Sequence, residues 1–199
     1  LPPESEPFEF FSLIFSQDLV QDLADWTNHR AKKKIDSTKR RKHCKITWSN
    51  ITLDGMNAFI GCLLCMGIVR MPSCKMYWQN KTKLFSVAGM REILSEQRFK
   101  DIYSCICFRN PNYDIEGGSK LSKIEPFKTA IMTNSLLHYP PSENLSIDES
   151  MISFSGRSKF KVFMPSKPIK VGLKAYLLCE SNTGYVLNYS LHTGEMTKS

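Results

Sequence analysis

The chain has 199 residues, 42% of them hydrophobic, and a formal net charge of +8. This apolar content can bury a sizeable core, as one large domain or two small ones, which excludes a disordered tail. No apolar run reaches the roughly 18 residues of a membrane span and no signal-peptide pattern is present, so we expect a soluble, intracellular protein.

The positive charge favours a polyanionic partner, because each Lys or Arg that meets a phosphate releases condensed counterions. Nucleic acid is the leading partner, and an anionic membrane surface is the weaker alternative. The seven cysteines are an odd number in largely apolar surroundings, which argues against a secreted disulfide framework and favours a reducing compartment. Because the chain begins with Leu1 and stops at Ser199 just after a strand-like segment, we expect it to be part of a longer protein.

Apolar periodicity predicts a helical first half. Large apolar side chains recur every three or four positions from Phe8 to Trp26, which is typical of an amphipathic helix. Residues 32–45 are rich in Lys and Arg and poor in large apolar side chains, so they predict a solvated basic linker. Thr52 is a plausible N-cap for an apolar helix that ends before Pro72.

Further helices follow in the same half of the chain. Ser73 can cap a short helix that carries Tyr77 and Trp78, and helical patterns cover residues 86–94 and 95–107. A last helix, over residues 121–138, ends against Pro140-Pro141, because proline cannot continue a helix and restrains the residue before it.

The last third of the chain has a β character. Strands are predicted near residues 145–154, 170–179 and 185–192, and Asn182-Thr183-Gly184 supplies the turn of an antiparallel hairpin between the last two. The sequence therefore predicts an α+β protein.

Asp148 is the carboxylate most suited to chemistry. It lies within the first predicted strand, and no Asp or Glu occurs between Ser150 and Cys179, where six cations lie instead. A carboxylate in a strand can hold Mg²⁺ while neighbouring cations position a phosphodiester, although that chemistry requires several convergent carboxylates. Glu149 should point to the opposite face of the strand and so not share the ion. The simpler interpretation of Asp148 is a solvated residue on an exposed strand face.

The cysteines and the basic run have less specific patterns. Cys62 and Cys65 have CxxC spacing but lie in an apolar helix, and Cys105 and Cys107 have one residue between them, so core packing is favoured over zinc binding. The run from Lys39 to Lys42 suits a nuclear localisation signal or phosphate contacts, with a solvated linker as an equal alternative.

Ser146 to Met151, followed by Phe154 and Gly156-Arg157, resembles the first catalytic-strand motif of piggyBac transposases. The similarity continues downstream in order and spacing at Met164-Pro165-Ser166-Lys167-Pro168, Lys170, Gly172, Lys174, Ser181 to Tyr185, and Thr193-Gly194. Upstream, the helical half is similar at Phe59-Ile60-Gly61, Met66-Gly67, Pro72, Tyr77-Trp78, Arg98-Phe99 and Phe108.

The resemblance implies a cut-and-paste element in which a ribonuclease H-like domain binds two divalent metals, Mg²⁺ or Mn²⁺, through three aspartates and inserts at TTAA targets. Asp148 matches the first of these aspartates and is the candidate catalytic residue and metal ligand. The other two aspartates and the family's cysteine-rich zinc module are expected beyond Ser199. We therefore expect this chain alone to be inactive and to hold no metal stably.

The resemblance also implies a domain organisation and partners. Residues 1–140 are expected to form a helical dimerisation and DNA-associating region, with the basic linker at 32–45, and residues 141–199 the incomplete start of the DDE-type catalytic domain. The expected partners are double-stranded DNA in the nucleus and a second copy of the chain, with no membrane and no small-molecule substrate. The candidate DNA-binding cations are Lys39, Arg40, Arg41, Lys42, Arg157, Lys159, Lys161, Lys167, Lys170 and Lys174.

Two other functions remain open at this point. A domesticated relative could act as a DNA-associated or chromatin-associated scaffold in which Asp148 is vestigial, and the missing downstream carboxylates would discriminate it from an enzyme. A basic helical domain that binds RNA is the third alternative, although no RNA-reading module is recognisable.

Overall fold

The computed structural model describes residues 2, 4–38, 48–79, 87, 89–112 and 120–194. These residues form helices followed by an antiparallel sheet, which confirms the predicted α+β class. The chain divides into two compact units, Leu1–Ile131 and Met132–Ser199. This division falls within the last helix, whereas the sequence places it between residues 140 and 141. Within the described ranges, no helix combines the length and apolarity that crossing a bilayer requires.

The described residues of the helical unit form five α-helices and the start of a sixth. They are α1 (Pro7–Ile14), α2 (Gln17–Thr38), α3 (Leu53–Ile68), α4 (Met90–Ile93), α5 (Glu96–Cys105) and α6 (Glu125–His138). Two short 3-10 helices, Cys74–Trp78 and Lys120–Lys123, lie before α4 and before α6. The predicted N-cap Thr52 is confirmed, because its hydroxyl accepts a hydrogen bond from the backbone N–H of Gly55. Ser73 is the N-cap residue of the first 3-10 helix, as predicted, but its side chain makes no capping hydrogen bond. Ser95, which was not predicted as a cap, accepts a hydrogen bond from the backbone N–H of Arg98.

The first predicted helix is divided in two at Phe15-Ser16. Ser16 Oγ accepts a hydrogen bond from the backbone N–H of Leu19, so this serine begins a new helix where periodicity alone suggests a continuous one. The second helix then continues through Thr38, so the predicted linker is wrong for residues 32–38. No Gly or Pro interrupts α2, and the fully buried Ala31 packs its later turns against the unit.

Two other predicted helices differ at their ends. The helix predicted over 86–94 is observed as α4, which starts after Gly89 in a left-handed conformation with a φ of 86°, while residues 86 and 88 lie outside the described ranges. The helix predicted over 121–138 becomes a 3-10 helix and then α6, whose first turn contains Pro126. Residues 39–45 of the predicted linker also lie outside the described ranges.

The core of the helical unit lies between α2, α3 and α5. Its fully buried members include Leu23, Met56, Phe59 and Ile102. Phe99 of α5 packs against Phe59 and Trp78, with ring centroids 5.1 and 5.0 Å apart. These aromatic contacts hold the 3-10 helix at Cys74–Trp78 between α3 and α5.

The second unit contains the end of α6 and a four-stranded antiparallel sheet. Its strands are β1 (Leu145–Ser153), β2 (Lys161–Phe163), β3 (Val171–Glu180) and β4 (Val186–Leu191). The three predicted strands are confirmed as β1, β3 and β4, and the predicted β3–β4 hairpin is confirmed with Gly184 at a φ of 71°. The short β2 was not predicted, because three residues are too few to show alternation.

The long strand β3 is the centre of the sheet and pairs with the other three strands. Its pairing with β1 runs from Leu145 opposite Glu180 to Ser153 opposite Gly172. A Cβ atom on Gly172 would lie 2.2 Å from the carbonyl oxygen of Ile152, so only glycine lets the two backbones approach this closely. This register positions the candidate carboxylate.

Candidate catalytic strand and basic groove

Asp148 lies near the middle of β1, directly opposite Leu177 of β3. Its side chain is exposed, and Oδ1 accepts a hydrogen bond of 2.6 Å from the backbone N–H of Glu149. This contact orients the carboxylate on the strand without burying it. The side chain is therefore accessible to a cation or a phosphodiester.

Glu149 points to the opposite face of the sheet, as its position next to Asp148 in a strand predicts. Its partner across the sheet is Tyr176, and its Oε1 lies 2.5 Å from Nζ of Lys174. The same ammonium lies 4.8 Å from the centroid of the Tyr176 ring. The hydrogen bond to Glu149, followed by that to Tyr176, raises the pKa of Lys174 above its ordinary value.

Among the described residues, none of the predicted cations forms an ion pair with the carboxylate of Asp148. Lys174 pairs with Glu149 on the other face, and Nζ of Lys167 donates to the backbone carbonyl of Glu149 at 3.3 Å. The remaining described candidates lie near the segment between β1 and β3: Lys161 donates to the carbonyl of Gly156, Lys159 lies over the ring of Phe160, and Arg157 and Lys170 are exposed. Lys39, Arg40, Arg41 and Lys42 lie outside the described residues.

Among the residues that the structure describes, the predicted donor set for a metal ion consists of one carboxylate, Asp148. Across the described residues, no group of three or more His, Cys, Asp or Glu side chains could hold a metal ion. A divalent ion of the phosphoryl-transfer type needs several carboxylate oxygens. Asp148 alone therefore does not fit a complete metal centre.

The cysteines in helices are packing residues, as predicted. Cys62 is fully buried in the core and Cys105 is 3% exposed. Burial, followed by the nearby Cys65, raises the pKa of Cys62 to about 11. A thiol with this pKa stays protonated near neutrality, where it is a poor nucleophile and a poor metal ligand.

A cavity of about 850 Å³ in the helical unit was not predicted from the sequence. We call it the basic groove; its lining includes the cations Arg30, Lys33, Arg109 and Lys123 and the aromatic residues Tyr103 and Phe108. These residues come from α2, α5 and the segments that precede α6, so no local motif contains them. The only signal in the sequence was the net positive charge of the chain.

Comparison with known proteins defines the class of this protein. A family model described as Transposase IS4 matches residues 6–199, and the chain therefore belongs to this transposase family. Within that class, the resemblance to piggyBac proteins is confirmed by three human relatives. PiggyBac transposable element-derived protein 3 is 24% identical over 193 residues, which are 95% of this chain and 30% of that protein.

The other two human relatives are comparably similar. PiggyBac transposable element-derived protein 2 is 22% identical over 97% of this chain and 30% of its own length. PiggyBac transposable element-derived protein 5 is also 22% identical, over 98% of this chain and 36% of its own length. The chain thus spans about a third of the length of these curated relatives.

A solved structure shares the fold. The cryo-EM structure of a piggyBac transposase synaptic complex with hairpin DNA aligns with a TM-score of 0.80 and 22% identity, over 98% of this chain and 40% of that chain. At this level of identity the likeness concerns the fold.

Proposed function

We propose that this protein is a transposase-derived DNA-binding protein and that Asp148 is the first carboxylate of a DNA strand-cleavage and strand-transfer site. The observation that carries the proposal is the placement of Asp148, exposed at mid-strand in a chain of the transposase family. One carboxylate cannot complete that site. We therefore expect the chain alone to bind DNA without cleaving it.

Double-stranded DNA is the proposed partner. The net charge of +8 supports a polyanionic ligand, and the solved relative with this fold is described in a complex with hairpin DNA. The exposed Arg157 and Lys170, near the sheet, are available for phosphate contacts. We further propose a nuclear location and a homodimer, with no membrane and no small-molecule substrate.

A complete site would take Mg²⁺ or Mn²⁺, whose role in phosphoryl transfer is to neutralise charge on the reacting phosphate. Within this chain, the role of Asp148 is to present one carboxylate oxygen on an accessible face of the strand. Glu149 does not share that part, because it faces away and is paired with Lys174.

The test is the binding of fluorescein-labelled duplex DNA, measured by fluorescence anisotropy over a salt series, with and without Mg²⁺. Wild type is compared with Asp148→Asn, and the exposed Glu143→Gln is the charge-matched control. We expect log K to fall linearly with log salt for all three proteins. Phosphate oxygens of the bound DNA can add the ligands that the chain alone lacks, so we also expect Mg²⁺ to strengthen binding in wild type and in the control but not in Asp148→Asn.

Two outcomes would contradict parts of this proposal. Salt-dependent binding in which Mg²⁺ has the same effect on all three proteins would remove the role of Asp148 and favour a non-catalytic DNA-associated or chromatin-associated scaffold. The absence of duplex binding at low salt would remove DNA as the partner.

A further inference from the structure

The basic groove lies wholly within the helical unit and has walls of different character. Arg30 and Lys33 of α2 line one wall, while Leu63 of α3 contributes apolar surface. The cavity volume of about 850 Å³ is in the range of sites that enclose a small organic group. The groove is thus large enough for a nucleotide and too small for a duplex.

The charged side chains among the described residues that line the groove are all cationic. Its lining includes Arg30, Lys33, Arg109 and Lys123 and, within the described part of the chain, no carboxylate. Nη1 of Arg30 donates 2.7 Å to the backbone carbonyl of Ile106, which anchors the guanidinium at the wall. Because an arginine has five N–H donors, this anchor leaves others for an anion. Lys33 and Lys123 are exposed.

The groove also presents an aromatic ring. Tyr103 is 64% exposed, and its ring is stacked on that of the buried Phe99, with centroids 6.1 Å apart and an interplanar angle of 18°. An exposed aromatic side chain that contacts a buried neighbouring ring can serve as a platform for a second flat ring. Leu63, 38% exposed, adds apolar surface to the same groove.

A ligand for this groove needs a flat ring and a phosphate within one small unit. Unpaired nucleotides have both, and proteins that hold single strands combine a cationic groove with aromatic platforms for the bases. In a duplex the base faces are covered by stacking and cannot reach Tyr103. An acidic peptide would satisfy the charge of the groove but not the exposed ring.

We propose that the basic groove binds an unpaired nucleotide of a single-stranded DNA segment, with its base stacked on Tyr103 and its phosphates at Arg30, Lys33 and Lys123. This inference rests on the proposed function, because it takes DNA as the partner of the protein. It adds a binding site for a single strand, separate from Asp148 and from the phosphate contacts of duplex DNA.

The test compares the affinities of the protein for fluorescein-labelled oligothymidine and for labelled duplex DNA. Tyr103→Ala should weaken oligothymidine binding roughly 5- to 100-fold, the effect of one stacked base, and leave duplex affinity unchanged. Tyr103→Phe keeps the ring and should bind like wild type. An oligonucleotide containing 2-aminopurine should lose fluorescence on binding to wild type and to Tyr103→Phe, but not to Tyr103→Ala.

Two lysine-to-alanine substitutions that remove the same charge, one inside the groove and one outside it, test the wall formed by Arg30 and Lys33. Lys33→Ala should weaken oligothymidine binding and lower the salt slope by about 0.7, the effect of one single-strand phosphate contact. Lys32→Ala, an adjacent exposed lysine of α2 that does not line the groove, should change both much less. Circular dichroism of each variant checks that its helix content equals that of wild type.

The inference is overturned if Tyr103→Ala and Lys33→Ala bind oligothymidine like wild type while duplex binding persists, and the proposed function then stands. A poly-glutamate peptide that competes as well as oligothymidine, with equal loss in Lys33→Ala and none in Tyr103→Ala, would identify an acidic polypeptide site instead. Failure to bind either DNA would overturn both proposals.

Discussion

Asn28 connects α2 to the chain segment before α3 through three hydrogen bonds. Nδ2 donates to the carbonyl of Ile51 at 2.9 Å, and Oδ1 accepts from the backbone N–H of Ile51 at 2.7 Å and from Nε1 of Trp48 at 3.2 Å. The side chain is 8% exposed, so water cannot replace these partners. Buried polar groups that lose their partners are costly.

Replacing Asn28 by Ala leaves the buried backbone groups of Ile51 unpaired. We expect the free energy of unfolding to fall by about 2–4 kcal/mol. Urea denaturation followed by circular dichroism measures this change, with the exposed Asn188→Ala as the control. Equal effects of the two substitutions would contradict the role of Asn28.

Glu180 has a comparable role in the second unit. It is 4% exposed, and its carboxylate accepts hydrogen bonds from the hydroxyl and the backbone N–H of Ser142, at 2.7 and 3.0 Å. These bonds, the hydroxyl first, hold the pKa of Glu180 below its usual value of 4.5. They fix the chain just before β1.

Because the folded pKa of Glu180 is lowered, its contribution to stability is present above the usual carboxyl pKa and is lost as the pH falls below it. We expect wild type to lose stability from about pH 4.5 downward more steeply than Glu180→Gln, which carries no titrating group there. Urea midpoints measured between about pH 7 and about pH 3 test this expectation. Glu143→Gln should keep the slope of wild type, and a similar loss of slope in that control would contradict the assignment.

At the level of elements, the register of β1 on β3 decides which carboxylate is accessible. A shift by one residue would exchange the faces of Asp148 and Glu149. The close approach of the two backbones at Gly172 and the Glu149–Lys174 ion pair both favour the observed register. The sheet therefore determines the position of the candidate site.

Gly172→Ala would place a Cβ atom 2.2 Å from the carbonyl oxygen of Ile152. Because that neighbour is backbone, the strands must separate, and we expect a loss of about 3 kcal/mol in the free energy of unfolding. Gly61→Ala in α3 is the matched control, since its Cβ would meet nothing within 4 Å. It should be neutral or stabilising by up to about 1 kcal/mol. Equal unfolding free energies for the two variants would refute the close approach.

At the level of the whole molecule, the net charge is a property of the entire chain, whereas the candidate binding and catalytic features are local. The net charge of +8 favours a polyanionic ligand, so the proposed attraction for DNA should depend on salt rather than on sequence. The basic groove and the accessible Asp148 are local features of the helical unit and the second unit, respectively. Affinity for duplex DNA and any specific chemistry should therefore respond to different substitutions.

Replacing Lys39, Arg40, Arg41 and Lys42 together by Ala tests the general attraction. If this run contacts phosphates, duplex affinity should fall similarly for unrelated sequences, and the salt slope should decrease by up to about 3.6. A variant with Lys39→Arg and Lys42→Arg keeps the charge and should bind like wild type. Unchanged affinity at low salt would identify the run as a linker or a targeting signal.

Local patterns in the chain were sufficient for the α+β class, the N-cap at Thr52, the three main strands and the family. These features depend on residues close together in sequence, such as an N-cap hydroxyl and the N–H group three positions later. For the same reason, Asp148 and Glu149 could be assigned to opposite faces before the structure was known.

Features that depend on contacts between residues far apart in sequence could be identified only from the folded structure. Lys174 joins Glu149 rather than Asp148, Glu180 accepts hydrogen bonds from Ser142, and the cations of the basic groove come from three separate segments. The continuation of α2 through Thr38 likewise depends on packing, because Ala31 is buried against other helices. Strand register and helix packing determine such contacts, and no short stretch of sequence contains both partners.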